Sequence, residues 1–176
     1  MSPLLDTART VLIDVAPGMP PSCWAVTAAA LALLAAAAAI DAVTAIIPDI
    51  LIIAGLLTVI GAQGLFTSWG VAAHHFLHAL AAGLLIWGVN AAWYRAFRHD
   101  ALGMGDAKWT MLAVACFGVA PALFAWGLGS ILAILFIGAA RLARRKVGRT
   151  PFAPFLFIGL CGGLGWTYAS GLNGFF

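Results

Sequence analysis

The sequence predicts an all-α, polytopic membrane protein, a bundle of six transmembrane helices in one compact domain. Three observations lead there. Of the 176 residues, 64% are hydrophobic and only 9% are charged, whereas a soluble domain carries about 45–50% and about 25%. The mean hydropathy of +1.05 points the same way. The apolar residues fall into runs of roughly membrane-spanning length, and the Lys and Arg residues gather on one side of the topology those runs imply. A soluble globular protein, a disordered chain and a nucleic-acid binder are excluded. So is an outer-membrane barrel, whose strands alternate over roughly 10 residues.

The first element is residues 1–22. Leu4, Leu5, Ala8, Val11, Leu12 and Val15 recur at helical spacing, with Asp6, Arg9 and Asp14 elsewhere, which suits an amphipathic helix on the membrane surface. Pro17, Pro20 and Pro21 end it. Asp6 and Asp14 interrupt the run, and no basic leader precedes a long apolar core, so the segment does not read as a cleavable signal. Residues 23–176 form the membrane domain.

Within it lie apolar stretches at 23–40, 50–66, 69–92, 107–140 and 154–172. A spanning helix needs about 20 residues to cross a core of ~30 Å. The stretch 107–140 would be roughly 51 Å long as one helix, and Gly118 to Pro121 offers a turn. It therefore splits into helices over 107–118 and 121–140, giving six. The first of these is short, so its end near Asp106 is expected to sit below the membrane surface. The run 23–40 is nearly all Ala and Leu. Small side chains allow close backbone approach, which places that helix inside the bundle.

Orientation tests the split. With six helices, the loops 41–49, 93–106 and 141–153 share one face. That face collects Arg95, Arg98, Lys108, Arg141, Arg144, Arg145, Lys146 and Arg149; the other has only Arg9. Positive residues mark the cytoplasmic side, so both termini are expected outside. Five helices would put the two basic clusters on opposite faces.

Two acids stand out by position. Asp41 follows the Ala-rich run ending in Ile40. Asp106 opens the fourth helix in Gly103-Met104-Gly105-Asp106-Ala107-Lys108. Both fall on the same predicted face, and acids at membrane depth usually face a cavity and carry function. For Asp106 a helix-capping role is the plain alternative. Two facing carboxylates can share one proton. One then acts as base on a bound water, and the other as acid toward a scissile carbonyl oxygen. No metal, cofactor, Ser or Cys nucleophile is needed. Gly103 and Gly105 remove bulk beside Asp106 and permit turn geometries closed to other residues.

These residues resemble the type IV prepilin peptidases, membrane aspartic proteases of the GxGD class. Gly103 to Lys108 is similar to their GxGDxK motif. Asp41 followed by Ile47-Pro48-Asp49 resembles their first motif, an aspartate and then a stretch ending in Ile-Pro-Asn. Pro151-Phe152-Ala153-Pro154-Phe155 resembles their Pro-Phe-Gly-Pro-Phe segment. The resemblance implies that Asp41 and Asp106 are the catalytic pair, with Gly103, Gly105, Lys108, Pro48, Pro151, Phe152 and Pro154 shaping the site. It implies a bacterial cytoplasmic (inner) membrane enzyme. Its substrate would be a prepilin, cut at the cytoplasmic face after a short basic leader and before its hydrophobic helix. Lys108 has two readings, a part in the site or a snorkelling surface residue.

The chain departs from the family pattern in three places. No basic residue lies in Ala42 to Ile47, Asp49 stands where Asn is common, and Ala153 where Gly is common. These bear on leader contacts more than on the acids. The chain also lacks the cytoplasmic insertion with paired cysteines that large family members carry for N-methylation. It looks like the peptidase-only form of tight-adherence (Flp) pilus systems, with cleavage and no methylation expected.

Other features read as structural. Cys23, Cys116 and Cys161 lie in or beside apolar runs with no CxxC pair, so they are small apolar fillers. His74, His75 and His78 sit near the opposite end of the third helix with no acid or Cys nearby, so no metal is expected. Pro121-Ala122-Leu123 imitates a motif of presenilin-type proteases by coincidence. Arg141, Arg144, Arg145, Lys146 and Arg149 read first as a topology anchor near anionic lipid, with a docking site for acidic partners as the alternative; a basic leader would be repelled by them. A small transporter handling protons or cations through intramembrane Asp is the alternative function, although no internal repeat is present.

Overall fold

The computed structural model describes residues 21–99, 103–144 and 150–170. They form six α-helices and no strand: α1 (Pro21–Thr44), α2 (Asp49–Phe66), α3 (Trp69–Phe97), α4 (Met104–Phe117), α5 (Val119–Leu142) and α6 (Ala153–Ser170). The all-helical class and the division of 107–140 into two helices agree with the sequence. The surface helix expected over 1–22 lies outside the described residues up to position 20, as do Asp100, Arg145, Lys146 and Arg149.

Local chemistry sets the boundaries. Pro48 starts α2 from an extended backbone at φ −64°, the angle its ring enforces. Ser68 caps α3, its hydroxyl accepting the Val71 N–H at 3.2 Å, the usual service of an N-cap serine. Between α4 and α5 the joint is Gly118 alone, at φ 83°, a conformation glycine adopts without steric cost. Pro121 is no obstacle to α5, because it falls in the first turn, where no intrahelical N–H is needed.

Four of the six helices are long and apolar enough to cross a membrane: Val26–Thr44, Asp49–Phe66, Trp69–Phe97 and Val119–Leu142. α4 has 14 residues, or about 21 Å, and Ala153–Trp166 of α6 is also short. The outward faces carry Leu57, Leu65, Leu84, Ile134 and Leu135, all exposed. An exposed apolar surface of that extent belongs against lipid, and the chain is an integral membrane protein.

The Ala-rich helix does not occupy the centre. α1 turns Ala30, Leu34, Ala37 and Ala38 inward, but Ala28, Ala29, Ala32, Ala36 and Ala39 are exposed. The centre is α4, which packs against every other helix. Its Trp109, Leu112, Ala113 and Ala115 are completely buried. The closest approach is between α5 and α6. A Cβ built on Gly159 would lie 2.6 Å from the Ala125 carbonyl oxygen, and one on Gly129 would lie 2.9 Å from the Phe155 carbonyl oxygen. Ala125-x-x-x-Gly129 meets Gly159-x-x-x-Gly163, the small-residue spacing that lets membrane helices touch backbone to backbone.

The helices alternate in direction. The end of α1, the start of α2, the end of α3, the start of α4, the end of α5 and the start of α6 therefore gather at one end of the bundle. Among the described residues, every Lys and Arg (Arg95, Arg98, Lys108, Arg141 and Arg144) is at that end.

Candidate active site

Asp41 lies in the last turn of α1 and Asp106 in the first turn of α4, and both are buried, at 6% and 8% exposure. They line one cavity of about 830 Å³ at the basic end of the bundle. α3 supplies its far wall. That helix has 29 residues, so it runs about 44 Å beside the ~21 Å of α4 and overhangs it.

Asp106 is not the N-cap. Gly103 holds that position at φ −70°. Asp106 sits three residues on and accepts the Gly103 N–H at 3.2 Å, the carboxylate half of a capping box. An angle of −70° is open to any residue, so Gly103 is not there for its backbone freedom. Its reason is steric, because a Cβ would come 3.1 Å from the Asp106 carboxylate. Gly105 likewise leaves room for Ile47, 3.4 Å from where its Cβ would be, with Asp41 Oδ1 at 3.9 Å. The two glycines bring the two acids' surroundings together.

Asp41 is held from the far end of the sequence. Its Oδ2 accepts the Ala153 N–H, the first of α6, at 3.3 Å. The Pro-Phe-Ala-Pro-Phe segment explains why that donor is free. The Phe152 carbonyl accepts from Phe155 at 3.0 Å and from Leu156 at 3.2 Å, and Pro154 has no N–H to give. Ala153 keeps the one donor left over, and its side chain is fully buried. Replacing Ala153 by Pro deletes that donor and puts the ring Cδ against the Asp41 oxygen that accepted it. Activity is expected to fall at least about 10- to 100-fold, the lost hydrogen bond to a charged group alone being worth roughly 1.5–3 kcal/mol. Initial rates on the substrate that the sequence resemblance implies, at equal protein level, check it, with Ala153→Gly expected to stay near wild type.

Trp109 fixes the spacing between the acids' helices. It is fully buried and its Nε1–H donates to the Leu34 carbonyl at 3.3 Å. It is three residues after Asp106, and Leu34 is two turns before Asp41, so one side chain ties both helices.

Lys108 points away from the cavity and forms an ion pair with Asp49 at the start of α2. The pair joins the segment after Asp41 to the segment after Asp106. Both members are partly exposed, at 33% and 70%, and exposed pairs contribute about 0.2–1 kcal/mol. Lys108→Ala is therefore expected to cost less than about fivefold in activity, with part regained in the swapped Asp49→Lys/Lys108→Asp double variant. A loss of a hundredfold or more in steady-state rate would mean that Lys108 has a part in the chemistry itself.

Of the residues singled out in the sequence, Asp41, Asp106, Gly103, Gly105, Pro151 and Phe152 line the cavity, while Pro48, Pro154 and Lys108 do not. Sequence reading missed the α3 wall: Trp87, Asn90, Ala91, Tyr94 and Arg95. The expected helix ended at 92, short of the overhang. The histidines are dispersed. His75 is buried, its Nδ1 2.8 Å from Gln63 Nε2 and 3.1 Å from the Ala115 carbonyl, while His74 is exposed and His78 half-buried. Two carboxylates sharing a cavity can divide acid and base roles over a bound water.

A family model described as the type IV leader peptidase family matches residues 28–138. No curated protein and no solved structure matches the chain.

Proposed function

Because the chain belongs to the type IV leader peptidase family, we propose that it is a membrane-embedded aspartic endopeptidase working through Asp41 and Asp106. The general statement follows from the family: an integral membrane protease whose substrate class is the prepilins. One observation supports the finer reading. Two buried aspartates, far apart in sequence, line the same cavity. The family also favours proteolysis over the transporter alternative.

In the reaction, one carboxylate takes a proton from water as the oxygen adds to the scissile carbonyl carbon. The other gives its proton to the carbonyl oxygen. Collapse of the tetrahedral intermediate breaks the C–N bond, and the leaving amine takes up the proton. Gly103 and Gly105 shape the floor of this cavity, and Pro151 and Phe152 its rim. Pro48 and Pro154 act at one remove, by setting the starts of α2 and α6.

The basic end of the bundle is the cytoplasmic face of the bacterial inner membrane on this reading. All six helices then cross or enter the bilayer, the segment before α1 belongs to its outer face, and both termini are outside. The substrate is an Flp-type prepilin, and the enzyme cleaves without methylating. Purified protein in liposomes is expected to release the leader from such a prepilin and to transfer no label from a methyl donor. Absence of cleavage rejects the peptidase, and label in the new pilin terminus rejects the peptidase-only form.

A further inference from the structure

A second hollow of about 390 Å³ opens in the side of the bundle. α4 is its floor, with α3 and α5 as walls; Leu85, Val89, Val114, Val119 and Trp126 give it a mainly apolar lining, and His78 also lines it, about three turns of α3 before Asn90. The hollow lies beside the acid cavity, on neighbouring positions of α3 and α4, although the two have no lining residue in common. Along α3, Trp87 and Asn90 face the cavity while Ile86 and Val89 face the groove. The Phe152 ring on the cavity side stands edge-on to Trp126 on the groove side, with centroids 5.4 Å apart. Along α4, Thr110 is one turn below Asp106 and Val114 two turns below, so the groove descends about 12 Å from the acid.

The groove offers a ligand no polar contact at its junction with the cavity. The Thr110 hydroxyl donates to the Asp106 carbonyl at 2.7 Å and accepts from Trp126 Nε1 at 2.9 Å. A basic leader would be left unsatisfied there. An apolar helix would not, and one entering beside α4 would carry its own backbone hydrogen bonds.

We propose that this groove holds the first two turns of the substrate's apolar helix, directly after the scissile bond, while the leader stays on the polar side of the acid cavity. This rests on the peptidase reading above. The arrangement makes the α3 and α5 walls specificity-determining.

The test uses the full chain in phosphatidylethanolamine/phosphatidylglycerol liposomes. The probe is a synthetic peptide with a basic leader followed by about 20 apolar residues. A photoreactive residue replaces Leu85 or Leu123 in the groove, or Leu57 on α2 as the lipid-facing control, in Asp106→Asn protein that holds the substrate uncut. Crosslinks from Leu85 and Leu123 to the first two turns of the probe helix, with none from Leu57, are expected. Ala81→Trp, which narrows the groove from its exposed wall, is expected to raise KM about tenfold with kcat within about twofold. If wild-type protein cleaves the probe but the groove positions capture only lipid, or if KM of Ala81→Trp is unchanged, the groove proposal is overturned and the peptidase reading stands. If wild-type protein does not cleave the probe, the peptidase reading itself fails.

Discussion

Asp41→Asn and Asp106→Asn are each expected to lower leader cleavage at least about 1,000-fold, within the range of ~10²–10⁴ for loss of a positioned acid or base. Both substitutions conserve shape. Asn at 41 still presents an oxygen to the Ala153 N–H, and Asn at 106 still presents one to Gly103, so the hydrogen bonds at 3.3 and 3.2 Å have acceptors in the variants. What is lost is the capacity to take and return a proton. The double variant is expected to be no worse than either single one, because members of one catalytic unit are not additive. Initial rates in liposomes, normalised to the folded protein recovered, decide the matter. Either single variant within tenfold of wild type would rule out the paired-carboxylate mechanism.

Gly159→Ala is expected to destabilise the protein by about 3 kcal/mol, at the upper end of the usual cost of overpacking. The sign is diagnostic. In an unhindered helix the same change stabilises by roughly 0.5–1 kcal/mol. At Gly165, on the same helix, a new Cβ meets nothing within 4 Å, and Gly165→Ala is expected to be neutral or slightly stabilising. At Gly159 the new atom would meet the Ala125 carbonyl at 2.6 Å and the Gly129 nitrogen at 3.0 Å. Both are backbone and cannot rotate away, so α5 and α6 must separate. Because Ala153 opens α6 less than two turns earlier, its N–H is displaced from Asp41 and activity falls with stability. Equilibrium unfolding in detergent, run on both alanine variants, measures the difference. Equal stability of the two would show that the α5–α6 contact carries no weight.

The chemistry of this chain was more legible in its sequence than its packing. Asp41, Asp106 and the two glycines are visible because acids in apolar surroundings are costly and stand out. The break at 118–121 follows from length, since a single helix there would overrun the membrane, with Gly118 to Pro121 offering the turn and the one-sided Lys and Arg agreeing with it. Packing was harder to read because Ala and Gly look alike on every face. The Ala-rich run suggested that α1 lies inside the bundle, away from lipid, yet its alanines point both inward and outward, and the closest backbone contact belongs to Gly129 and Gly159 instead. On the α3 wall, Tyr94 and Arg95 were missed because the helix was expected to end at 92 and continues to Phe97, while Trp87, Asn90 and Ala91 lay inside the expected helix with nothing to mark the face they share. The role of Ala153 was hidden because a backbone N–H leaves no trace in composition. Only the two prolines around it hint that one donor is left over.

The single-glycine joint between α4 and α5 also bears on biogenesis. With 14 residues, α4 falls below the ~17 of the shortest helices that cross a bilayer. α5 has 24 residues and qualifies by itself. Joined through one residue, the pair would enter lipid as a hairpin, with α5 drawing the more polar helix and its aspartate in behind it. Proteolytic competence would then arrive late in synthesis, when α6 emerges to dock against that hairpin and the Asp41 carboxylate gains its backbone donor.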